Sequence, residues 1–316
     1  MSVLVTGANG FLASHIVDQL LDAGHRVRGS VRSGKEDSLR SAYASYGDRF
    51  DATVIDDIGT SDLEPAFRDG TRRMLHAARA ANVKKVVVTS SLAALFVNAE
   101  EDKQEDITVD ENSWNPLTVE DVLRPGADAV VVYGVSKKLS EQLTWQFASE
   151  NPDIDVSTVI PPWCIGPISP HSYNPAEAMK TYSNRVIYDM INGFEGRPWQ
   201  EYVERHKDYI PIFVHISDIA RAHVLAVESA PSPMIKRIVV SGGQLYLSDA
   251  ARHIAKVRPQ LKDRLPVVGE SFRDIRTHVK VDASSAGKIL GMGPYKSWQE
   301  TVEETVDNIL SVQERK

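Results

Sequence analysis

One cysteine, Cys164, stands in 316 residues, so no disulfide can form within the chain and packing and hydrogen bonds must hold the fold. That thiol reads most simply as a small packed hydrophobe, and the lack of a second fits a reducing compartment. Positive charge is also scarce: 36 Lys and Arg stand against 43 Asp and Glu, a net charge of -7. No basic stripe is available for a nucleic-acid backbone. Apolar runs long enough to span a membrane are missing. Met1 leads within two residues into a short strand, which leaves no charged and apolar leader. There is no internal repeat and no low-complexity tract. These shortages predict a soluble, cytoplasmic protein whose partner is a small molecule, neither nucleic acid nor membrane; they leave its oligomeric state open.

What is present is ordinary for a globular enzyme: 42% hydrophobic and 25% charged residues. The length fits one large α/β unit, or a nucleotide-binding domain with a smaller lobe. Short apolar runs alternate with amphipathic stretches through the first half, which predicts a doubly wound parallel sheet of the Rossmann-like type. Strands are expected at Val3–Val5, Val27–Val31, Thr53–Ile55, Val86–Thr89, Val156–Ile160 and Ile238–Val240. Leu12, Ile16 and Leu20 fall at helical spacing in Phe11–Ala23 before Gly24. Further helices are expected at Thr71–Ala81, Ser136–Ser149, Ser217–Ser229, Ser248–Val257 and Trp298–Gln313. The acidic stretch Glu100–Asp110 reads as a solvated loop, and the Pro, Gly and aromatic density from Pro161 to Trp199 as irregular structure belonging to a substrate lobe. The expected division is a cofactor-binding domain over 1–160 and a mainly substrate-binding lobe over 161–316, with some segments returning to the sheet.

Gly7, Asn9, Gly10, Phe11 and Leu12 lie between the first strand and the first helix, where small residues let a pyrophosphate approach the backbone and the helix N-terminus. At the end of the second strand an NAD site would offer a carboxylate to the ribose hydroxyls; here Arg32 and Lys35 offer positive charge, which suits the 2′-phosphate of NADP(H). Asp57 and Ile58, after the third strand, are placed to meet the adenine. Tyr133 and Lys137 stand four residues apart on one helix face. A phenol with an ordinary pKa of about 10 needs an adjacent ammonium to become an acid-base group near neutral pH. Upstream, the buried strand Val86–Thr89 ends in Ser90 and Ser91, at the carboxyl edge where doubly wound sheets bind ligands. A serine there can hold a carbonyl oxygen while the tyrosine protonates it.

In this order the motifs resemble those of the extended short-chain dehydrogenases/reductases, in the dihydroflavonol reductase-like branch with its fungal NADPH-dependent aldehyde and ketone reductases. The segments that carry the resemblance are Val5 to Ala13, Val88 to Ser91, Glu111 to Asn115, Tyr133 with Lys137, Pro161 through Gly166 and Pro167, and Phe213 to His223. The resemblance implies that Ser91, or alternatively Ser90, binds the substrate carbonyl, that Tyr133 gives the proton, and that Lys137 orients the cofactor. It places Pro161 and Cys164 beside the nicotinamide, and Phe96, Trp163 and Tyr173 are candidates for an aromatic, apolar substrate pocket. No metal is implied: His215 and His223 lack ligand spacing and read as packed side chains. Reduction of an aldehyde or ketone is the expected activity; a nucleotide-sugar epimerase or dehydratase and a non-catalytic cofactor-binding paralogue are the alternatives.

One departure stands out. The family pattern carries a fourth strand ending in a His-x-Ala type motif and a loop before the helix that begins with Gly-Thr. Here Asp57 is followed by Ser61 to Asp69 and then directly by Gly70 and Thr71. A strand and its loop are missing, and Arg73 stands where relatives tend to have Asn. The sheet is therefore expected either to close up or to hold a gap beside its first strand.

Overall fold

The computed structural model describes residues 1–56, 63–96, 106–172, 174–180, 183–270, 272, 274 and 277–314, with backbone alone at 63–69. The first part of the chain runs β1 (Ser2–Val5), α1 (Phe11–Asp22), β2 (Arg26–Val31), α2 (Glu36–Ala42), β3 (Phe50–Val54), α3 (Leu63–Ala80) and β4 (Lys85–Thr89). It continues through β5 (Ile107–Val109), α4 (Val119–Leu123), α5 (Ala129–Glu150), β6 (Asp155–Ile160), β7 (Trp163–Ile165), α6 (Pro175–Ala178), α7 (Arg185–Ile191) and α8 (Trp199–Arg205). The last part is β8 (Ile212–His215), α9 (Ile216–Glu228), β9 (Lys236–Val239), β10 (Gly243–Gln244), α10 (Leu247–Val257), β11 (Val279–Val281), α11 (Ser284–Leu290) and α12 (Trp298–Glu314).

The expected parallel sheet is present in two halves. One half has the order β1-β2-β3 and the other β4-β6-β9, all paired in parallel. Between β1 and β4, where the family pattern puts another strand, the described residues show no pairing. The two strands do not close up. Leu4 on β1 is 50% exposed, and Val86, Val87 and Val88 on β4 are only partly buried, although each belongs to an apolar run that would lie inside a complete sheet.

Helix α9 ties the halves together. Its Ala220 and Val224 pack with Val5, Ile16, Leu20 and Val27 around the first half, while Ile219, Ala222 and Ala226 pack with Val159, Val214 and Ile238 around the second. Fully burying a Val or Ile side chain contributes about 1.5–3 kcal/mol, so Ile219 and Val224 give the helix a share of the cohesion the sheet lacks. Polar contacts add to it: Gln19 Nε2 donates to Ser217 O at 2.9 Å, and His25 Nε2 lies 2.9 Å from Glu228 Oε1.

Some elements depart from the sequence reading. Helix α5 begins at Ala129, well before Ser136, because Asp128 caps it by accepting from Val130 N at 2.8 Å; the β-branched run Val130 to Val132 concealed the start. Helix α3 likewise starts at Leu63 instead of Thr71. Ile107 to Val109, expected in a loop, form a strand paired with β11. The segment from Pro161 to Trp199, expected to be irregular, holds β7, α6 and α7. There β7 pairs with β8, which pairs antiparallel with β10. Ile165, Ile187, Met190, Trp199 and Tyr202 form a second core with residues of α10 and α12.

Candidate active site

The glycine turn between β1 and α1 has the shape a diphosphate requires. Gly7 has φ +60, a conformation that suits glycine, and a Cβ on Gly10 would stand 3.1 Å from Gly7 O. The N-cap of α1 is Gly10, which has no side chain of its own to cap the first-turn N–H groups beside the turn. Ala8 is fully buried and Ala8 N donates to Ser30 O at 2.9 Å, so the turn is anchored on β2. Gly29 makes that anchoring possible, since a Cβ there would stand 2.7 Å from the Ala8 methyl. Asn9, Phe11 and Leu12 belong to this turn and the first turn of α1, and the Phe11 and Leu12 side chains also pack toward Val159 and Val214. Arg32 and Lys35 are exposed just beyond β2, around Gly34 at φ +80, and Ser33 N donates to Asp56 Oδ1 at 2.6 Å. Asp57 and Ile58 lie outside the described residues.

Ser90 and Ser91 leave β4 in opposite roles. Ser90 is buried and its Oγ donates to Glu141 Oε2 at 2.6 Å, facing into the protein. Ser91 caps the short turn Leu92–Ala94, accepting from Ala93 N at 3.3 Å, and its hydroxyl is close enough to the Tyr133 phenol to act on its pKa. Tyr133 sits inside α5 with 48% of its surface exposed. Lys137 follows one turn later, its Nζ 5.7 Å from the centre of the Tyr133 ring. Serine, phenol and ammonium thus converge at the carboxyl end of β4.

The electrostatics differ from expectation in one respect. Burial raises the Tyr133 pKa above its ordinary value, and the lowering influence comes from the Ser91 hydroxyl, where the sequence had pointed to Lys137. Burial lowers the Lys137 pKa, opposed by the Cys164 and Glu141 side chains. At neutral pH the phenol carries its proton, the state a proton donor needs.

Pro161 is buried and Pro161 O accepts from Leu92 N at 2.8 Å, which joins the β6–β7 connection to the serine turn. Cys164 is buried on β7, and its thiol is pushed up to about 12 by burial, with Lys137 the charge nearest to offsetting it. Trp163 is partly buried, packs edge-on to Tyr209 at 5.1 Å, and borders a cleft of about 330 Å³ with Lys180, Arg185, Arg205 and His206. Phe96 lies elsewhere: it is 6% exposed and packs with Leu92, Leu95, Ile160 and Ile212, so its ring belongs to the core. Tyr173 falls outside the described residues.

Both histidines singled out from the sequence are packed. His223 Nε2 lies 2.8 Å from Thr89 Oγ1 and its Nδ1 2.8 Å from Ile219 O. His215 caps α9, accepting from Ser217 N at 3.1 Å. Among the described residues no cluster of three or more His, Cys, Asp or Glu is arranged to hold a metal, and no helix is long and apolar enough to cross a membrane.

Two residues at the site went unnoticed in the sequence, Glu141 and Arg237. Glu141 falls one turn beyond Lys137 on α5 and is 1% exposed; Arg237, on β9, is 4% exposed, and its Nε donates to Glu141 Oε1 at 2.8 Å. A carboxylate continuing the Tyr133, Lys137 spacing was the available signal. Its partner, far away in the sequence, gave none.

A family profile described as the NAD dependent epimerase/dehydratase family matches residues 3–67 and 66–240, together well over half of the chain. The chain belongs to this family of extended short-chain dehydrogenases/reductases. The two matched segments of this extended reductase meet at residues 66–67, where the expected strand is missing. An uncharacterized oxidoreductase of Schizosaccharomyces pombe is 31% identical over 296 residues, 83% of each chain. An NADPH-dependent methylglyoxal reductase of Saccharomyces cerevisiae is 28% identical over the whole of both chains. That alignment spans 364 positions, 48 more than the 316 residues present here. The crystal structure of the yeast methylglyoxal/isovaleraldehyde reductase complexed with NADPH superposes with a TM-score of 0.80, at 27% identity and covering both chains in full. The fold of the extended family is therefore kept despite the divided sheet.

Proposed function

We propose that this chain is an NADPH-dependent reductase of aldehydes or ketones. The observation that carries the reading is the convergence of Ser91, Tyr133 and Lys137 at the carboxyl end of β4. In this proposal Ser91 donates a hydrogen bond to the substrate carbonyl oxygen, and Tyr133 passes its phenolic proton to that oxygen as negative charge develops on it. Lys137 holds the cofactor ribose and, as an ammonium, stabilises the phenolate left behind. NADPH, when bound, supplies the hydride. Ser90 is less suited to the carbonyl role, because its hydroxyl is already committed to Glu141.

Gly7, Asn9, Gly10, Phe11 and Leu12 would hold the pyrophosphate, and Arg32 and Lys35 the 2′-phosphate. The turn fits the group: a side chain at Gly10 would crowd Gly7 O, and as the N-cap of α1 this glycine brings no side-chain cap of its own. Pro161 and Cys164 would border the nicotinamide, and Trp163 the substrate. On this reading residues 1–160 form the cofactor domain and 161–316 mainly the substrate lobe, acting in the cytoplasm, where a lone buried thiol meets no oxidising demand.

NADPH oxidation measured against a panel of aldehydes and ketones tests the reading. Turnover with at least one carbonyl class is expected. No net cofactor oxidation, with activity on a nucleotide sugar, would make the chain an epimerase, a reading that the cations at Arg32 and Lys35 disfavour. Binding of NADPH without turnover would make it a non-catalytic paralogue.

A further inference from the structure

We infer that the buried Glu141–Arg237 ion pair is a positioning device for the reaction centre, holding the Ser91 strand end and the Tyr133–Lys137 helix in one fixed relation. The inference rests on the proposal that Ser91, Tyr133 and Lys137 carry the reduction. The Glu141 carboxylate accepts from Ser90 Oγ at 2.6 Å, Thr158 Oγ1 at 3.1 Å, Arg237 Nε at 2.8 Å and Arg237 Nη2 at 3.4 Å. Arg237 also donates through Nη1 to Glu111 O at 2.9 Å and Ser113 O at 2.7 Å. Its guanidinium lies 3.8 Å from the centre of the Trp114 ring and 5.6 Å from that of Trp145. One buried unit thus connects the end of β4, helix α5, strands β6 and β9, and the segment from Glu111 to Trp114.

Packing alone does not call for such a pair. Apolar residues of similar volume often replace a buried ion pair with no loss of stability, whereas removal of one partner strands a charge. What the charged version provides here is direction, because a bidentate fork accepts few orientations of the carboxylate. Ser90 adjoins Ser91, and Glu141 lies one helical turn from Lys137, which lies one turn from Tyr133. The carboxylate also acts on Lys137 at a distance. That ammonium faces Tyr133 on its own helix and Cys164 on β7, both neutral at pH 7, so among the described residues Glu141 is a negative charge that favours its protonated form.

Glu141→Gln keeps the shape and removes the charge. Its expected result is a lower titration midpoint for Lys137, followed by isotope-edited NMR of the ε-carbon and assigned with Lys137→Met. It should also lower kcat by about tenfold, with little change in KM or NADPH affinity, as a small misalignment does. Glu141→Asp should restore the midpoint. Ser90→Ala and Thr158→Val each remove one hydrogen bond to the carboxylate and leave the charge; they should lower kcat without moving the midpoint, and they carry the test if Glu141→Gln does not fold. A wild-type Lys137 midpoint in Glu141→Gln, or wild-type kcat in both neutral variants, overturns the inference. If the wild-type chain oxidises no NADPH with any carbonyl yet its Lys137 midpoint still falls in Glu141→Gln, the reductase reading fails and the hold of the carboxylate on Lys137 stands.

Discussion

Gly134 lies so close to Asn115 that a Cβ on the glycine would stand 2.9 Å from Asn115 Nδ2 and 3.2 Å from Ala93 O. Asn115 Nδ2 already donates to Ala93 O at 2.8 Å and to Phe96 O at 3.2 Å, so neither group is free to retreat. The missing side chain is what lets α5 approach the turn that follows Ser91, and Gly134 is the neighbour of Tyr133. Gly134→Ala should push the helix away and lengthen the Ser91 to Tyr133 contact. A displacement of about 1 Å costs around a hundredfold in rate. A loss of that order in kcat, with NADPH binding nearly retained, is expected; wild-type kinetics would show that the helix has room to spare.

Tyr133→Phe removes only the hydroxyl. General acid help is worth roughly two to four orders of magnitude, and that is the expected fall in turnover. Cofactor titration of the same variant should match the wild type, since the phenol is assigned to substrate. Near-normal carbonyl reduction would refute the role given to Tyr133.

Arg32 and Lys35 are exposed beyond β2 and are proposed to meet a phosphate on the adenosine ribose. Replacing both with Gln should weaken NADPH by about one to two orders of magnitude, the equivalent of roughly 1.5 to 3 kcal/mol for a charge-assisted contact. NADH lacks the phosphate and should bind as before. Parallel losses for the two cofactors, read by fluorescence titration, would rule out a phosphate contact.

The sequence made the first half of the fold legible because its signals are local. The turn from Gly7 to Leu12 follows an apolar run and opens a helix with Leu12, Ile16 and Leu20 on one face, and those positions are buried or partly buried as the period requires. Tyr133 and Lys137 could be read as a pair because both lie on one helix. What stayed hidden was long-range. The Glu141–Arg237 pair joins residues far apart in the chain, and nothing in local periodicity announces a buried charge. The start of α5 was missed because three valines outweigh an Asp128 cap in any propensity argument, although packing overrides propensity in the folded chain. Phe96 had the composition of a pocket residue, but only the structure places its ring in the core.

His223 is 4% exposed beneath Thr89, and burial lowers its pKa to about 4. An unfolded histidine titrates at about 6.5, so between those values the unfolded chain binds the extra proton. The neutral packed ring therefore contributes its full stability above about pH 6.5, and that contribution is lost as the pH falls towards 4, to a total of about 3 kcal/mol at most. His223→Gln should be less stable than the wild type at pH 7 and should lose less on acidification. Thermal melts at pH 7 and pH 5 check this, and an unchanged acid sensitivity in the variant would remove His223 from the account.

The divided sheet leads to a prediction about the chain itself. Among the described residues β1 and β4 are both edges, yet they have the sequences of interior strands, with Leu4 50% exposed and three valines of β4 incompletely covered. Each edge presents backbone N–H and C=O groups along one side, and water is a poorer partner for an apolar strand than a neighbouring strand that also buries its side chains. The family profile breaks at residues 66–67, inside the first part of α3 (Leu63–Ala80), so its missing strand would enter within that helix and divide it. Inserting a Val- and Ile-rich strand with its return loop between Phe67 and Gly70 should therefore let one strand pair with β1 and β4 together. The expected outcome is a higher Tm, slower hydrogen exchange at Val3 to Val5 and Val86 to Val88, and faster carbonyl reduction, because a continuous sheet fixes the glycine turn relative to Ser91. An inserted chain that melts with the parent and protects neither set of amides would mean that α9 and its two faces already supply all the cohesion this sheet requires.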